Sequence, residues 1–231
     1  MSGSCYYDLH IHSCLSPCAA DDMTPSNIAG MATIKGLSII ALTDHNSGRN
    51  LPAMSKAAEE FGLAFVPGIE VTTVEEVHVL TYFKDLCTAV EFGDMLYASL
   101  PGISNRPDIF GCQILMDELD EPMGELDKLL LQATPFPITE LTRMAVSAGG
   151  CAVPAHINRD SFSVFANLGF LPPGLFNTVE VCACLPCPSL DPSIQILHSS
   201  DAHQLGDISE PIRTTSLFHD AATLVDFINC L

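Results

Sequence analysis

The sequence predicts an α/β fold built on a largely parallel sheet. Three observations predict it. Short apolar runs of strand length alternate with segments whose apolar residues recur at helical spacing. Proline and glycine sit where those segments start and stop. Ionisable residues gather at the ends of the apolar runs, which is where α/β proteins place their active sites.

Residues 6–12 alternate in character and read as a strand. Thr24-Pro25 is a helix start, with Thr as N-cap and Pro as first helical residue. Ile28, Met31, Ala32 and Lys35 follow at helical spacing, and Gly36 is placed to end the helix. Residues 38–43 (SIIALT) form a short buried strand. Leu51, Met54, Ala58 and Phe61 mark a second helix that stops at Gly62, and residues 64–67 and 77–82 read as strands.

Residues 84–135 are less regular. Helical candidates at 89–100 and 125–131 are separated by Pro101, Gly102, Pro107 and Pro122, and apolar content stays high. The segment therefore reads as an inserted helical subdomain. Alternation then resumes: a helix on Ile138, Leu141, Met144, Ala145 and Ala148, ended by Gly149-Gly150; strands at 151–156, 178–182 and 194–199; and a C-terminal helix on Leu224, Phe227, Ile228 and Leu231, with Asp220 as N-cap.

With 231 residues, 48% of them hydrophobic and 16% charged, the chain can bury a substantial core. Disordered and fibrous classes are excluded. Twenty-eight acids against nine bases give a formal net charge of −19. A nucleic-acid surface needs clustered Lys and Arg, so long nucleic acid is expected to fit poorly, and anionic membranes likewise. Ten cysteines sit largely in apolar segments, as at Cys151 and Cys230; no signal peptide or apolar span is visible, and the expected setting is cytoplasmic with reduced thiols.

The strand ends carry the chemistry. The first ends Asp8-Leu9-His10-Ile11-His12, and side chains two apart on a strand share a face. Others end Thr43-Asp44-His45, Gly68-Ile69-Glu70, Pro154-Ala155-His156 and Ser200-Asp201-Ala202-His203, and another carries His78. Six of the eight histidines thus lie at or near one sheet edge, with carboxylates among them. Imidazole with carboxylate suits Zn²⁺, Mn²⁺ or Fe²⁺. At three or four ligands per ion, the set serves two or three ions, with Glu70 the best-placed bridge.

The ordered set HxH (His10, His12), TDH (Asp44, His45), GIE (Glu70), His78, AH (His156) and SDAH (Asp201, His203) resembles the PHP family, the polymerase and histidinol phosphatase domain. The resemblance spans residues 6 to about 205. It implies a distorted (β/α)7 barrel of PHP type with the 84–135 segment inserted, the whole of 1–231 being one domain. It also implies a metal-dependent phosphoesterase. By that resemblance His10, His12, Glu70 and Asp201 hold a first ion, and Glu70, His78 and His156 a second. His45 and His203 hold a third, with Asp21 or Asp22 as a further ligand, since Ala20 stands where an acid is expected. Asp44 orients a ligand histidine.

Hydroxide bridging two ions would attack a phosphomonoester in line, with catalytic roles for Glu70, Asp201 and His203. The expected substrate is small, such as a nucleotide or sugar phosphate, gripped by Arg159, Arg49 or Arg213 and by the polar Asn46 and Asn158. Two alternatives stay open: another amidohydrolase-like metal hydrolase, and a non-catalytic metal-binding domain. None of Lys35, Lys56, Lys84 and Lys128 lies at a motif strand end, which disfavours a lysine-bridged amidohydrolase. The cluster Cys182, Cys184, Cys187 reads as packing or incidental thiols, Cys14 and Cys18 flank the loop after the first strand, and Glu180 is expected to support the site from behind. Oligomeric state is not legible.

Overall fold

Strand-length apolar runs and amphipathic helices alternate along the chain as their spacing requires. In the computed structural model, which describes residues 5–182, 185–212 and 214–229, the elements are β1 (Cys5–Ile11), α1 (Pro25–Ile34), β2 (Ile39–Leu42), α2 (Leu51–Phe61), β3 (Ala64–Thr72), β4 (His78–Tyr82), α3 (Leu86–Ser99), α4 (Pro107–Phe110), β5 (Ile114–Met116), β6 (Pro122–Glu125), α5 (Ile138–Ser147), β7 (Cys151–Pro154), α6 (Val164–Leu168), β8 (Thr178–Glu180), β9 (Gln195–Leu197), β10 (Thr214–Thr215) and α7 (Ala221–Asn229). Local chemistry sets the boundaries. Thr24 caps α1, accepting from the Asn27 N–H, and Pro25 opens it. Gly62 ends α2 in the left-handed conformation.

The main sheet has the order β10-β1-β2-β3-β4-β7. β1, β2 and β3 run parallel. β4 is antiparallel to both β3 and β7, which corrects the expectation of a largely parallel sheet. The cause is the connection: residues 73–77 are too few for a parallel crossover of a dozen residues or more, so the chain turns back as a hairpin. The sheet curls, and the parallel pair β8–β9 stands across its opening. On one side the Ile157 N–H donates to the Glu180 carbonyl (2.9 Å). On the other, the His12 N–H donates to the Ala202 carbonyl (2.9 Å), and Ile11 bridges Ala202 in parallel. Seven strands, β1, β2, β3, β4, β7, β8 and β9, thus line a distorted barrel.

The barrel buries two apolar layers. Tyr7, Leu9, Ile39, Ala41, Val66, Leu80, Tyr82, Val153 and Leu197 form the inner one, closed below by Phe218 and by Leu224, Val225 and Ile228 of α7. Ile40, Leu42, Ile69, Val71, Val79 and Val179 form the outer one, packed against the buried faces of α1, α2, α3 and α5.

Residues 84–135 are not a uniformly helical insertion. α3 buries Ala89, Phe92 and Leu96 in the outer layer and belongs to the barrel. Beyond it come the single turn α4 and the hairpin β5–β6. No helix forms at 125–131, because the buried Gln113 side chain satisfies that backbone instead: it donates to the Leu126 and Lys128 carbonyls and accepts from the Leu130 N–H. The hairpin docks through Asp120, which accepts from the Thr24 hydroxyl (2.6 Å) and the Ser26 N–H (3.0 Å) at the start of α1. Gly111, at φ 96°, seats the segment on the loop after β1, since a Cβ there would lie 2.0 Å from the Pro17 carbonyl oxygen.

Candidate metal centre

The first strand delivers its histidines by breaking its own alternation. Tyr7 and Leu9 point into the inner layer, whereas Ile11 packs in the outer layer and pairs with Leu42. The β1–β2 register shifts between Asp8 and Ile11. An extra residue there swaps the faces, so His10 and His12 join the inner face above Leu9. Glu70 pairs across the sheet with Leu80 of the inner layer and so points inward too. Gly68 permits this close wall: a Cβ would lie 2.9 Å from both Thr43 Cγ2 and Tyr82 Cδ1. His156 and Asp201 hold positive φ values of 27° and 54°. Such backbone costs about 1–3 kcal/mol each and persists where surrounding contacts enforce it. The buried Asp8 carboxylate holds the Asp201–His203 loop at both ends, accepting from the Ser200 N–H (3.0 Å) and the Ser209 N–H (2.8 Å).

These placements surround one carboxylate with imidazoles. Glu70 is 1% exposed. Its Oε1 lies 2.9 Å from His78 Nδ1, 3.2 Å from His156 Nε2 and 3.4 Å from His10 Nε2. Its Oε2 lies 3.1 Å from His45 Nδ1 and 3.3 Å from His12 Nε2. Asp201 Oδ1 lies 3.2 Å from the Nε2 atoms of both His10 and His12. Among the described residues, three groups have donor atoms close enough to share an ion: His10, His12, Glu70 and Asp201; His45, Glu70 and His78; and His12, His45 and His203.

The donors fit cations. His45 Nδ1, Glu70 Oε2 and Asp201 Oδ1 are buried without a hydrogen-bond partner, although opposite groups stand within 3.3 Å. Orphaned polar atoms of this kind are costly unless something else satisfies them. His10 Nε2 and His12 Nε2 are 3.1 Å apart, so a proton or a cation must lie between them. The outer nitrogens are already engaged. His10 Nδ1 faces Glu180 Oε2 (2.9 Å), His12 Nδ1 faces Ser16 Oγ (3.0 Å), and His203 Nδ1 faces the Asp201 carbonyl (2.8 Å). With Nδ1 donating, each Nε2 is free for a metal.

Electrostatics agree. Burial alone would raise the Glu70 carboxyl, yet His78, His10 and His45 overcome it and hold it well below the usual carboxylate range. Burial would lower His12, but its contacts with Asp201 and Glu70 win and raise it to about 9. Burial, reinforced by His12, lowers His203 to about 4.

Several expected site residues lie elsewhere. Asp21 and Asp22 are exposed and enter none of the three donor groups. The loop is turned by a bond from the Ala20 N–H to the His203 carbonyl (2.9 Å), which brings Ala20 to the site and sends the acids outward. In place of an acid, His12 completes the group of His45 and His203. Asn46 is not free for substrate: its Nδ2 donates to the Leu130 and Gln132 carbonyls and its Oδ1 accepts from the Thr72 N–H. Asn158 is likewise occupied with the backbone at Cys182, Leu185 and Pro186. Arg49 pairs with Asp94 on α3 (2.7 Å) and does not line the cleft. Arg213 and Cys184 lie outside the described residues. Arg159 does line the cleft, paired with Asp201. The described cysteines form no disulfide.

Sequence reasoning missed Ser13 and Ser16. Asp44 accepts from the Ser13 N–H (2.7 Å), the Ser13 hydroxyl (2.6 Å) and the Ser16 hydroxyl (2.7 Å), so it reaches His12 only through Ser16. The one available signal was two hydroxyls in the loop after HxH. Phe162 was missed as well. Its ring stacks on His78, with centroids 4.7 Å apart, at the rim of the cleft.

Comparison with known proteins settles the class. The family described as the PHP domain matches residues 8–144, more than half of the chain. The chain belongs to the PHP domain family. PHP domains are metal-dependent phosphoesterases, and the His/Glu/Asp cluster described above is of the kind that binds metal. In fold the chain is similar to the lesion-specific Endonuclease Q of Pyrococcus furiosus (TM-score 0.62, 21% identity, 88% of this chain and 49% of that one). It is equally similar to a protein of Bifidobacterium adolescentis assigned as a metal-dependent phosphoesterase (TM-score 0.62, 19% identity, 97% and 95%). In sequence it is 35% identical over 75 residues to a 5'-3' exoribonuclease of Salmonella typhimurium, covering 31% of this chain and 24% of that protein. The chain spans less than half the length of the curated relatives it matches.

One expectation is overturned by these relatives. Endonuclease Q carries a 27-mer duplex with its lesion at the active site, and two sequence relatives are exoribonucleases. A net charge of −19 therefore does not exclude long nucleic acid for this fold. The physical reason is range: fields are screened within about 8 Å at physiological salt, so groups at the cleft outweigh charge elsewhere on the surface. Among the described residues no helix is long and apolar enough to cross a membrane.

Proposed function

We propose that the chain is a metal-dependent phosphoesterase that hydrolyses a small phosphorylated substrate, holding two or three divalent ions (Zn²⁺, Mn²⁺ or Fe²⁺) on His10, His12, His45, Glu70, His78, His156, Asp201 and His203. The observation that carries this reading is Glu70: a buried carboxylate with five histidine rings within 3.4 Å and one oxygen unpaired.

Bound divalent ions supply a water of lowered pKa and offset charge on the phosphoryl oxygens. The chain's own groups do the rest. Glu70 belongs to two donor groups and keeps them at a fixed separation. Glu180 accepts from both the His10 ring and the His156 N–H (3.0 Å), so one carboxylate orients two histidines. Arg159 spends one nitrogen on Asp201 and has others for a phosphate oxygen at the rim. His203, at 27% the most exposed ring of the cluster, lines the cleft.

The cleft measures about 100 Å³ and is lined by His45, Glu70, His78, His156, Arg159, Ser161, Phe162, Asp201 and His203. That space admits a phosphoryl group. A second reading, a phosphorylated nucleic-acid end as its carrier, is favoured by the exoribonucleases among the relatives. The test is a panel of phosphomonoesters and 5'-phosphorylated oligonucleotides, on metal-analysed protein given Mn²⁺, Zn²⁺ or Fe²⁺ separately. Turnover of small esters alone supports the first reading, and trimming of oligonucleotides supports the second. No turnover with any metal overturns both and leaves a metal-binding domain.

A further inference from the structure

The geometry points to Ser16 as a positioning residue that sets two metal-facing histidines at once. It lies fully buried in the loop between β1 and α1. Its Oγ meets three groups: Asp44 Oδ1 at 2.7 Å, His12 Nδ1 at 3.0 Å, and the His45 N–H at 3.2 Å.

A hydroxyl has a single proton to give. The Asp44 carboxylate can only accept, and it takes that proton alongside two bonds from Ser13. Toward His12, Ser16 is therefore left as an acceptor, which places a proton on Nδ1 and turns the bare Nε2 toward Glu70 Oε2 and Asp201 Oδ1. The same oxygen anchors the backbone of His45, whose ring meets Glu70 from the end of β2. One atom thus aligns ligands at the ends of two strands. Asn50 steadies the arrangement, donating from Nδ2 to Ser13 Oγ (3.1 Å).

The other engaged rings differ. His10 rests on a carboxylate and His203 on a backbone carbonyl, both obligate acceptors. Ser16 can also donate, so its role depends on Asp44. Replacing Asp44 by Ala removes the group that takes the serine proton. That proton then turns to His12 Nδ1, and the imidazole presents Nε2–H to the site. Asp44→Ala is therefore expected to act in the same direction as Ser16→Ala.

This inference rests on the cluster holding divalent ions, and the experiment separates the two. The chelator-treated parent chain, Ser16→Ala and Asp44→Ala are each titrated with Mn²⁺ alone and Zn²⁺ alone. Loss of an oriented support of this type costs about 10–100-fold in affinity. Both variants are expected to lose that much for at least one ion. In the Zn²⁺-loaded chain, the His12 Nδ1–H resonance in long-range ¹H–¹⁵N spectra is expected to be protected from exchange, and to lose that protection in Ser16→Ala. Affinities within twofold of the parent chain in both variants, or an unchanged Nδ1–H signal, overturn the role of Ser16. If the parent chain binds neither ion, the reading of the cluster fails first and this one with it. Should Ser16→Ala not fold, Ser16→Thr keeps the hydroxyl: parent-like affinity supports the role, and a loss equal to that of Asp44→Ala overturns it.

Discussion

In the lower half of the barrel Tyr7, Leu9, Ile39, Ala41, Val66, Leu80 and Val153 pack against one another and onto α7. In the upper half the same strands and their extensions bring His10, His12, Glu70, His156 and Glu180 together, equally buried. The lower half follows simple alternation and lines its interior with apolar and aromatic side chains, the Tyr82 hydroxyl donating to the Leu9 carbonyl (2.8 Å). The upper half breaks alternation at the β1 register shift and holds His156 and Asp201 at positive φ. It also leaves buried polar atoms without partners. The contrast teaches how stability and chemistry are divided within one barrel. The lower half supplies the free energy that lets the upper half remain strained and charged.

That division can be broken from either side. The largest effect is expected from Glu70→Ala, which removes the carboxylate common to two donor groups. It should lower kcat on a competent phosphoester by about 10³-fold or more and reduce bound metal, read by steady-state kinetics and elemental analysis. Retention of both would unseat the upper half as the reactive one. Next is Leu80→Ala, opposite Glu70 in the sheet but in the apolar layer. It should cost about 2–5 kcal/mol in denaturant unfolding, while the folded fraction keeps its metal stoichiometry.

A smaller effect concerns pH. His12 is raised to about 9, so in the metal-free chain its ring carries an extra proton at neutral pH. An ion must displace that proton, and His10 in the same donor group is raised as well, so Mn²⁺ affinity should rise with pH by at least about tenfold per unit up to pH 9. Proton release on binding, measured by calorimetry in buffers of different ionisation enthalpy, should be at least one per ion over that range and fall as pH passes 9.

The smallest is at the bottom of the barrel. Asp220 caps α7 by accepting from the Thr223 N–H (2.8 Å), and its bonds to the Thr223 backbone and hydroxyl hold its carboxyl below the ordinary value. Asp220→Ala should cost about 1 kcal/mol. Because the folded-state pKa is depressed, that contribution is present above the unfolded value near 3.8 and fades as pH falls through the folded one. Thermal unfolding of the variant and parent chains should therefore converge in acid.

Much of this was legible in order along the chain. Thr24-Pro25 and Gly62 announce helix ends through local backbone chemistry alone. The histidines of HxH, TDH and SDAH are visible because they follow apolar runs, and strand ends share one edge of the barrel. What was not legible needed partners far off in sequence. Glu125 to Leu131 has helical composition, yet Gln113 takes over its backbone bonds. Asn46 looks free beside the TDH motif, yet its amide is consumed by the segment around Leu130. Asp21 and Asp22 look like ligands until the Ala20–His203 bond turns them to solvent.

The sequence by itself determined the α/β class, the ends of most elements, and which ionisable residues meet at one edge, because periodicity and capping act over a few residues. Tertiary structure alone decided how those residues share space. The antiparallel turn of β4, the register shift that brings His10 inward, and the ring of histidines about Glu70 all depend on strands meeting across the barrel. Hydrogen-bond direction at Ser16 does too, since Asp44 lies 28 residues further along the chain.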